Sequence, residues 1–278
     1  MDRLQAAIQK AREERATRQS DPAVVLSHTQ QPNAPSPSVE PDEAWSALPQ
    51  ISIDPSLVAS KRLSSYTSGP DATPYDMLRT KMMQQVLSNG WRRVALTSPH
   101  SGCGKSTAAA NLAFSLGRQA ELRTIVIDLD MRRRGLAEIL KQTGNHNMAD
   151  VLQGSVPFRD HARRYGENVI FGLNYTPTSN PAETLQSRLA IEMLEQIEEE
   201  FKPDIVLFDT APLLVSDDSH GFLKNVDCAL LMAAAEETSL DDIDVAERQL
   251  SELTQVMGIV LNKCRYISGA FGNEQGYY

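Results

Sequence analysis

No apolar run in this sequence is long enough to cross a bilayer. Spanning takes roughly 18 or more consecutive apolar residues, whereas the longest stretches here, around Ile125–Ile127, Ile205–Phe208 and Ala229–Ala235, have the length of strands. Cysteine is scarce. Cys103, Cys228 and Cys264 lie far apart and form no CxxC pair, which excludes a zinc-ribbon pattern. Basic charge is also in deficit: 27 Lys and Arg against 36 Asp and Glu give a net charge of −9. A dedicated nucleic-acid binder would show the opposite balance, so no nucleic-acid partner is expected. The first twenty residues, Met1 to Ser20, carry charge and no apolar stretch, so no secretory leader is expected there. The chain is read as cytoplasmic, with any membrane association coming through a partner.

What is present describes a globular body with unequal ends. Hydrophobic residues make up 41% and charged residues 23% of 278, ordinary values for a chain that buries a full core. Met1 to about Arg18 has Leu4, Ile8 and Ala11 at helical spacing and is read as a short solvated helix. Asp21 to about Glu43, with Pro22, Pro32, Pro35, Pro37 and Pro41, lacks apolar surface to offset chain entropy and is read as a disordered linker. The expected division is 1–50 for helix and linker, 51–265 for the folded domain and 266–278 for a flexible tail. Within the body, strands are expected at Val94–Thr97, Thr124–Asp128, Ile205–Asp209, Ala229–Ala234 and Val256–Leu261. Helices are expected at Thr107–Leu116, Arg188–Glu200 and about Leu240–Leu253. Strands alternating with helices in this way predict an α/β fold with a mostly parallel central sheet flanked by helices.

Between the first strand and its helix stands Ser101-Gly102-Cys103-Gly104-Lys105-Ser106-Thr107. Glycines let backbone N–H groups curl around phosphate oxygens, and the following helix N-terminus adds its positive dipole end. Lys105 would reach the β- and γ-phosphates and the Ser106 hydroxyl would ligate Mg2+. This is the pattern of a P-loop NTPase, although Pro99 stands where the full motif has its first glycine. ATP and Mg2+ are the expected ligands.

Two other strands end in aspartates. In doubly wound sheets, ligands sit beyond the carboxyl ends of the strands, so Asp209 is placed to hold Mg2+ beside the loop. Asp128 and Asp130, two residues apart on a segment read as extended, are expected to point the same way. One carboxylate near the metal and one able to take a proton suit phosphoryl transfer to a hydroxyl, so Lys105, Asp128, Asp130 and Asp209 are the catalytic candidates.

Thr97 to Thr107 followed by Asn111-Leu112-Ala113 resembles the Walker A region of the bacterial tyrosine kinase (BY-kinase) family. Ile127-Asp128-Leu129-Asp130-Met131-Arg132-Arg133 resembles its Walker A′ motif, and Asp209-Thr210-Ala211-Pro212-Leu213 its Walker B. Asn180-Pro181-Ala182-Glu183, Ser216-Asp217 and Gly258 to Lys263 also match in order, so the resemblance covers about Arg79 to Tyr278. It implies an ATP-dependent tyrosine autokinase that regulates capsule or exopolysaccharide synthesis and export. The implied activator is a membrane-embedded polysaccharide co-polymerase at the inner face of the plasma membrane. By the same resemblance, Asp128 is the base for the tyrosine hydroxyl, while Ser106, Asp130 and Asp209 organise the metal. Tyr277 and Tyr278 are the implied phosphoacceptors, phosphorylated by a neighbouring copy, with Tyr266 a third. The 15 residues from Lys263 to Tyr278 could stretch about 50 Å. Three features depart from the family pattern. The tail has few tyrosines, Arg134 replaces a frequent proline, and the oligomerisation motif keeps only Arg79, with Thr73 and Asp76 at its first two positions.

Two alternatives share the same loop and carboxylates. A ParA/MinD-like ATPase switch would carry a signature lysine where this chain has His100, which cannot supply a constant positive charge. A non-catalytic ATP-binding subunit of a polysaccharide polymerase is the other.

Overall fold

A computed structural model describes residues 41–264. The expected N-terminal helix, most of the linker, and the tail with Tyr266, Tyr277 and Tyr278 lie outside the described residues. In chain order the first elements are α1 (Pro41–Ser46), α2 (Pro55–Ser60), α3 (Thr73–Asn89), β1 (Arg93–Thr97), α4 (Lys105–Gly117) and β2 (Thr124–Asp128). Then come α5 (Gly135–Leu140), α6 (Met148–Leu152), α7 (Phe158–His161), β3 (Arg163–Tyr165), β4 (Val169–Gly172), α8 (Pro181–Gln186) and α9 (Arg188–Phe201). The last are β5 (Ile205–Asp209), β6 (Cys228–Ala234), α10 (Leu240–Ser251) and β7 (Gln255–Asn262).

The seven strands form one sheet in the order β3-β4-β2-β5-β1-β6-β7. Every pair is parallel except β3–β4. The central strands are buried on both faces, which explains their unbroken apolar runs. Alternate residues serve opposite layers. Ile125, Ile127, Val206 and Phe208 pack on the face covered by α1, α6, α8, α9 and α10. Val126, Leu207, Val94 and Leu96 pack on the face covered by α3, α4 and α5. Helix α9 starts where Ser187 accepts a hydrogen bond from the Ala190 N–H and buries Ala190, Leu194, Ile197 and Phe201 on one side. Helix α10 is capped the same way by Ser239, with Asp241 and Asp242 favourably placed in its first turn.

The packed region begins earlier than the expected boundary at residue 51. Trp45 is 2% exposed, its indole N–H donates to the Phe201 carbonyl at 2.7 Å, and the two rings meet edge-on at 6.3 Å. The Arg123 guanidinium covers the indole at 5.4 Å. An aromatic of this size supplies burial that the surrounding prolines and serines cannot, so it anchors a short helix in otherwise linker-like sequence. Trp45→Ala is expected to cost about 3 kcal/mol in urea-unfolding measurements. A loss below about 1 kcal/mol would mean that α1 does not unfold with the rest.

Chain direction fixes where ligands can sit. From β1 the chain crosses by α4 to β2 on one flank, whereas β6 lies against β1 on the other. The sheet therefore reverses its winding at β1, and the carboxyl end of that strand opens into a crevice.

Candidate functional site

β1 ends at Thr97, and the loop from Ser98 to Gly104 delivers the chain into α4. Gly102 (φ 86°) and Gly104 (φ 87°) both take left-handed backbone, which side-chain-bearing residues rarely adopt. At Gly104 a Cβ would also lie 2.3 Å from Asn262 Nδ2. Asn262, at the end of β7, donates to the Cys103 carbonyl at 2.9 Å and so braces the loop from its β7 flank. The opposite flank is held from β5: Leu213 N–H donates to the Ser98 carbonyl at 2.8 Å and Leu214 N–H to that of Pro99 at 3.1 Å. Pro99 thus keeps an accepting carbonyl in a loop that needs no donor from it.

Lys105 is the first residue of α4 and 6% exposed. Its Nζ donates to Ser98 Oγ at 3.1 Å. Ser106 follows, close enough to Gly135 that a Cβ there would meet its hydroxyl at 2.6 Å. Ser101 lines the adjoining cavity, and Cys103 lies buried with its Sγ 3.7 Å from Thr238 Oγ1. Thr107 gives its carbonyl to the Asn111 side chain at 2.9 Å.

The three candidate aspartates converge beside this loop. Asp128 and Asp209 are register partners at the carboxyl ends of neighbouring strands, both fully buried, and Asp130 is 6% exposed. Strand β2 ends at Asp128, so the two-residue alternation that predicted parallel side chains does not extend to Asp130. Instead the backbone turns: Asp130 N–H donates to Asp128 Oδ1 at 3.1 Å, and both Leu129 and Asp130 N–H groups reach the Asp209 carbonyl. Asn174 fixes the other side by donating to the Asp128 carbonyl at 2.8 Å.

Burial dominates the electrostatics. It lifts the Asp209 carboxyl to about 6; Lys105 and then Ser106 pull it down, and Asp130 pushes it up. The Ser106 hydroxyl favours the Asp209 charge from short of hydrogen-bond geometry, since neither Asp209 oxygen has a hydrogen-bond partner. Burial, then Asp209 and Asp130, hold Asp128 well above the usual carboxylate range. Asp130 is also raised by burial, against the pull of Lys105 and Arg133.

Buried carboxylate oxygens without partners are costly. Here Asp209 Oδ1, Asp209 Oδ2 and Asp128 Oδ2 are all in that position. This donor set fits a hard cation, which takes oxygen ligands. Among the described residues, no group of three or more His, Cys, Asp or Glu side chains could hold a metal ion unaided.

A cavity of about 410 Å3 opens on the β2–β5 side of the loop, lined by Ser101, Asp130, Arg132, Arg133, Pro212 and Val215 among others. Two polar contacts around the site escaped sequence reasoning. Arg132 grips the buried Asp218, and His100 Nε2 lies 3.3 Å from Asp242 in α10. The only sequence signal for the first is the acidic pair Asp217-Asp218, of which Asp217 is exposed and Asp218 buried. Arg79 and Asp76, from the incomplete oligomerisation motif, are engaged within the chain: Arg79 Nη1 donates to the Ser115 carbonyl at 2.9 Å, and Asp76 pairs with Arg118. No helix among the described residues is long and apolar enough to cross a membrane.

Residues 94–268 match the family model for the CobQ/CobB/MinD/ParA nucleotide binding domain. The chain is 26% identical over 244 residues to a putative tyrosine-protein kinase, EpsB, of Ralstonia nicotianae; the match covers 82% of this chain but 31% of EpsB. It is 27% identical over 207 residues to the tyrosine-protein kinase CpsD of Streptococcus pneumoniae, covering 73% of this chain and 88% of CpsD. The kinase domain of the Escherichia coli tyrosine kinase ETK superposes with a TM-score of 0.64 at 20% identity, over 74% of this chain and 80% of that domain. The chain thus spans about a third of the length of the first of these relatives and most of the second.

Proposed function

Since the chain belongs to the CobQ/CobB/MinD/ParA nucleotide-binding domain family, we propose that it binds Mg-ATP at the Ser101–Thr107 loop and transfers the γ-phosphate to protein tyrosine. The observation that carries this reading is the meeting of one buried lysine and three buried aspartates next to a cavity with room for an acceptor side chain. An ATPase switch needs the phosphate loop and a metal carboxylate. It would share these carboxylates, but this chain has His100 in place of the switch's signature lysine and carries the tail tyrosines, and both favour the kinase.

Lys105 and the loop N–H groups would hold the phosphates, while Ser106, Asp130 and Asp209 would hold Mg2+. When bound, the metal neutralises charge on the β- and γ-phosphates. A tyrosine phenol has a pKa near ~10 and stays protonated until it reacts. As its oxygen bonds to the γ-phosphorus, the bond to the bridging oxygen breaks, ADP leaves, and the phenolic proton passes to Asp128. Tyr277 and Tyr278 are the proposed acceptors, supplied by a neighbouring copy, with Tyr266 a third. EpsB and CpsD bear kinase names, which supports the same activity here. The wider proposal is regulation of capsule or exopolysaccharide synthesis and export, with a membrane-embedded polysaccharide co-polymerase as activator and the kinase at the inner face of the membrane.

Intact-mass analysis of the chain co-expressed with such a partner tests this. Phosphate on the wild-type chain should disappear in Lys105→Met and fall sharply when Tyr277 and Tyr278 are both changed to Phe. Unchanged phosphate in the double variant would reject the assigned acceptors. Nucleotide binding with no phosphotyrosine in any preparation would favour the non-catalytic regulatory subunit.

A further inference from the structure

Two chain segments form facing walls of the cavity beside the phosphate loop: the turn after β2, carrying Asp130, Arg132 and Arg133, and the segment after β5, carrying Ala211, Pro212, Val215, Ser216 and Asp217. Asn262 braces the loop from the β7 flank, so this cavity lies on the opposite flank, beyond the buried lysine. On the kinase reading, that is where the acceptor enters.

An arginine at such a mouth invites assignment to phosphate. The geometry gives it another task. Arg132 Nε lies 2.5 Å from Asp218 Oδ2 and Nη2 lies 2.8 Å from Oδ1, a two-pronged fork between the walls. Asp218 is 1% exposed and accepts a third hydrogen bond from Ser216 Oγ at 3.0 Å. The Ser219 hydroxyl closes the same segment onto the Ala211 carbonyl at 3.1 Å. At their roots the walls are joined through the Asp209 carbonyl. Among the described residues, no other side-chain hydrogen bond or ion pair joins the two segments further out. A planar fork on a carboxylate fixes separation and angle together, which a single contact cannot do. A buried carboxylate left unpaired is costly, so the closed arrangement is strongly favoured.

We propose that the Arg132–Asp218 fork is a positioning device that sets the spacing of these two walls and so seats the acceptor tyrosine. On this proposal the pair acts by holding the wall rather than by binding the phosphates. The inference rests on the kinase reading for its acceptor half, while the holding of the wall stands apart from it.

The test uses the full chain with Arg132→Lys, which keeps the charge but loses the fork, and Asp218→Asn, which keeps the shape but loses the charge. Three readouts are needed: affinity for a fluorescent ATP analogue with Mg2+, KM for a tyrosine peptide copied from residues 270–278, and hydrogen exchange at amides 211–219. Both variants should keep nucleotide affinity within about twofold and raise peptide KM roughly tenfold, since small misplacements of a reactant are expensive. Both should also exchange faster at 211–219. Nucleotide affinity falling in step with peptide KM would put Arg132 on the phosphates and overturn the proposal, and so would unchanged exchange. A wild-type chain with no transferase activity would remove the kinase reading and the acceptor half together. Exchange would then decide whether the fork holds the wall. Retained nucleotide affinity also reports that each variant is folded.

Discussion

Replacing Lys105 with methionine is expected to weaken Mg-nucleotide binding by about a hundredfold or more and to remove phosphotransfer. The size of the effect comes from where the charge sits. Lys105 is 6% exposed, held toward Ser98 at 3.1 Å, and its charge draws down both Asp130 and Asp209, whose carboxyls burial has raised. Methionine matches the stem and deletes the charge, so two losses coincide. The phosphates lose their buried cation, and the metal carboxylates shift further toward their protonated, non-ligating forms. Each such charge-assisted contact is typically worth about 1.5–3 kcal/mol, which puts a hundredfold at the low end. Titration with a fluorescent ATP analogue at several Mg2+ concentrations separates the two. Affinity should fall even where metal saturates, and the apparent metal affinity should fall as well. Lys105→Arg keeps the charge but is a bulkier, planar group in a closed site and should recover only part of the loss. Unchanged nucleotide affinity in Lys105→Met would place the nucleotide elsewhere on the molecule and undo the functional reading.

Sequence legibility followed the range of the forces involved. β2 and β5 begin and end as expected, because continuous β-branched runs bounded by polar residues leave few other ways to bury them. Helix α9 was legible from its apolar stripe, ending in the buried Phe201. β3 and β4 were not. One is the three-residue Arg163–Tyr165 and the other the four-residue Val169–Gly172, and neither carries a periodic signal. β3 exists because it pairs antiparallel with β4, which the local sequence does not record. α3 is long but buries only Met82 and Val86, so it lacks an apolar stripe to read. The site divides in the same way. Ser101–Thr107 and Asp209 announce themselves through local chemistry. The turn between Asp128 and Asp130 does not, since it depends on a carbonyl from β5, and the burial of Asp218 depends on an arginine 86 residues away.

Without nucleotide, Asp209→Asn is expected to make the protein more stable than wild type at pH 7.5, by about 2 kcal/mol. Asp209 is fully buried, neither of its oxygens has a hydrogen-bond partner, and burial lifts its carboxyl from 3.8 to about 6. A group whose folded pKa is raised binds its proton more tightly in the folded state. Its presence therefore costs little below about pH 4; the cost grows between about pH 4 and 6, where the unfolded chain has ionised and the folded one has not, and is complete above 6. Once fully developed, that cost is about 3 kcal/mol. Asparagine has the same shape and never ionises, but its amide also needs partners, which trims the gain. Asp128 adds to the trend, being raised by burial first and by Asp209 second, so the substitution relieves it too. Urea unfolding should show wild type and variant converging near pH 4, separating between about pH 4 and 6, and keeping that gap to pH 7.5. Saturating Mg-ATP should reverse their order, because the cation that compensates the wild-type carboxylates has lost a ligand in the variant. On this reading the carboxylate is a stability cost that Lys105 eases in part and a bound metal would offset. A nucleotide-free wild-type protein at least as stable as Asp209→Asn at pH 7.5 would show that this charge is already compensated inside the chain, and the case for a cation at Asp209 would fall.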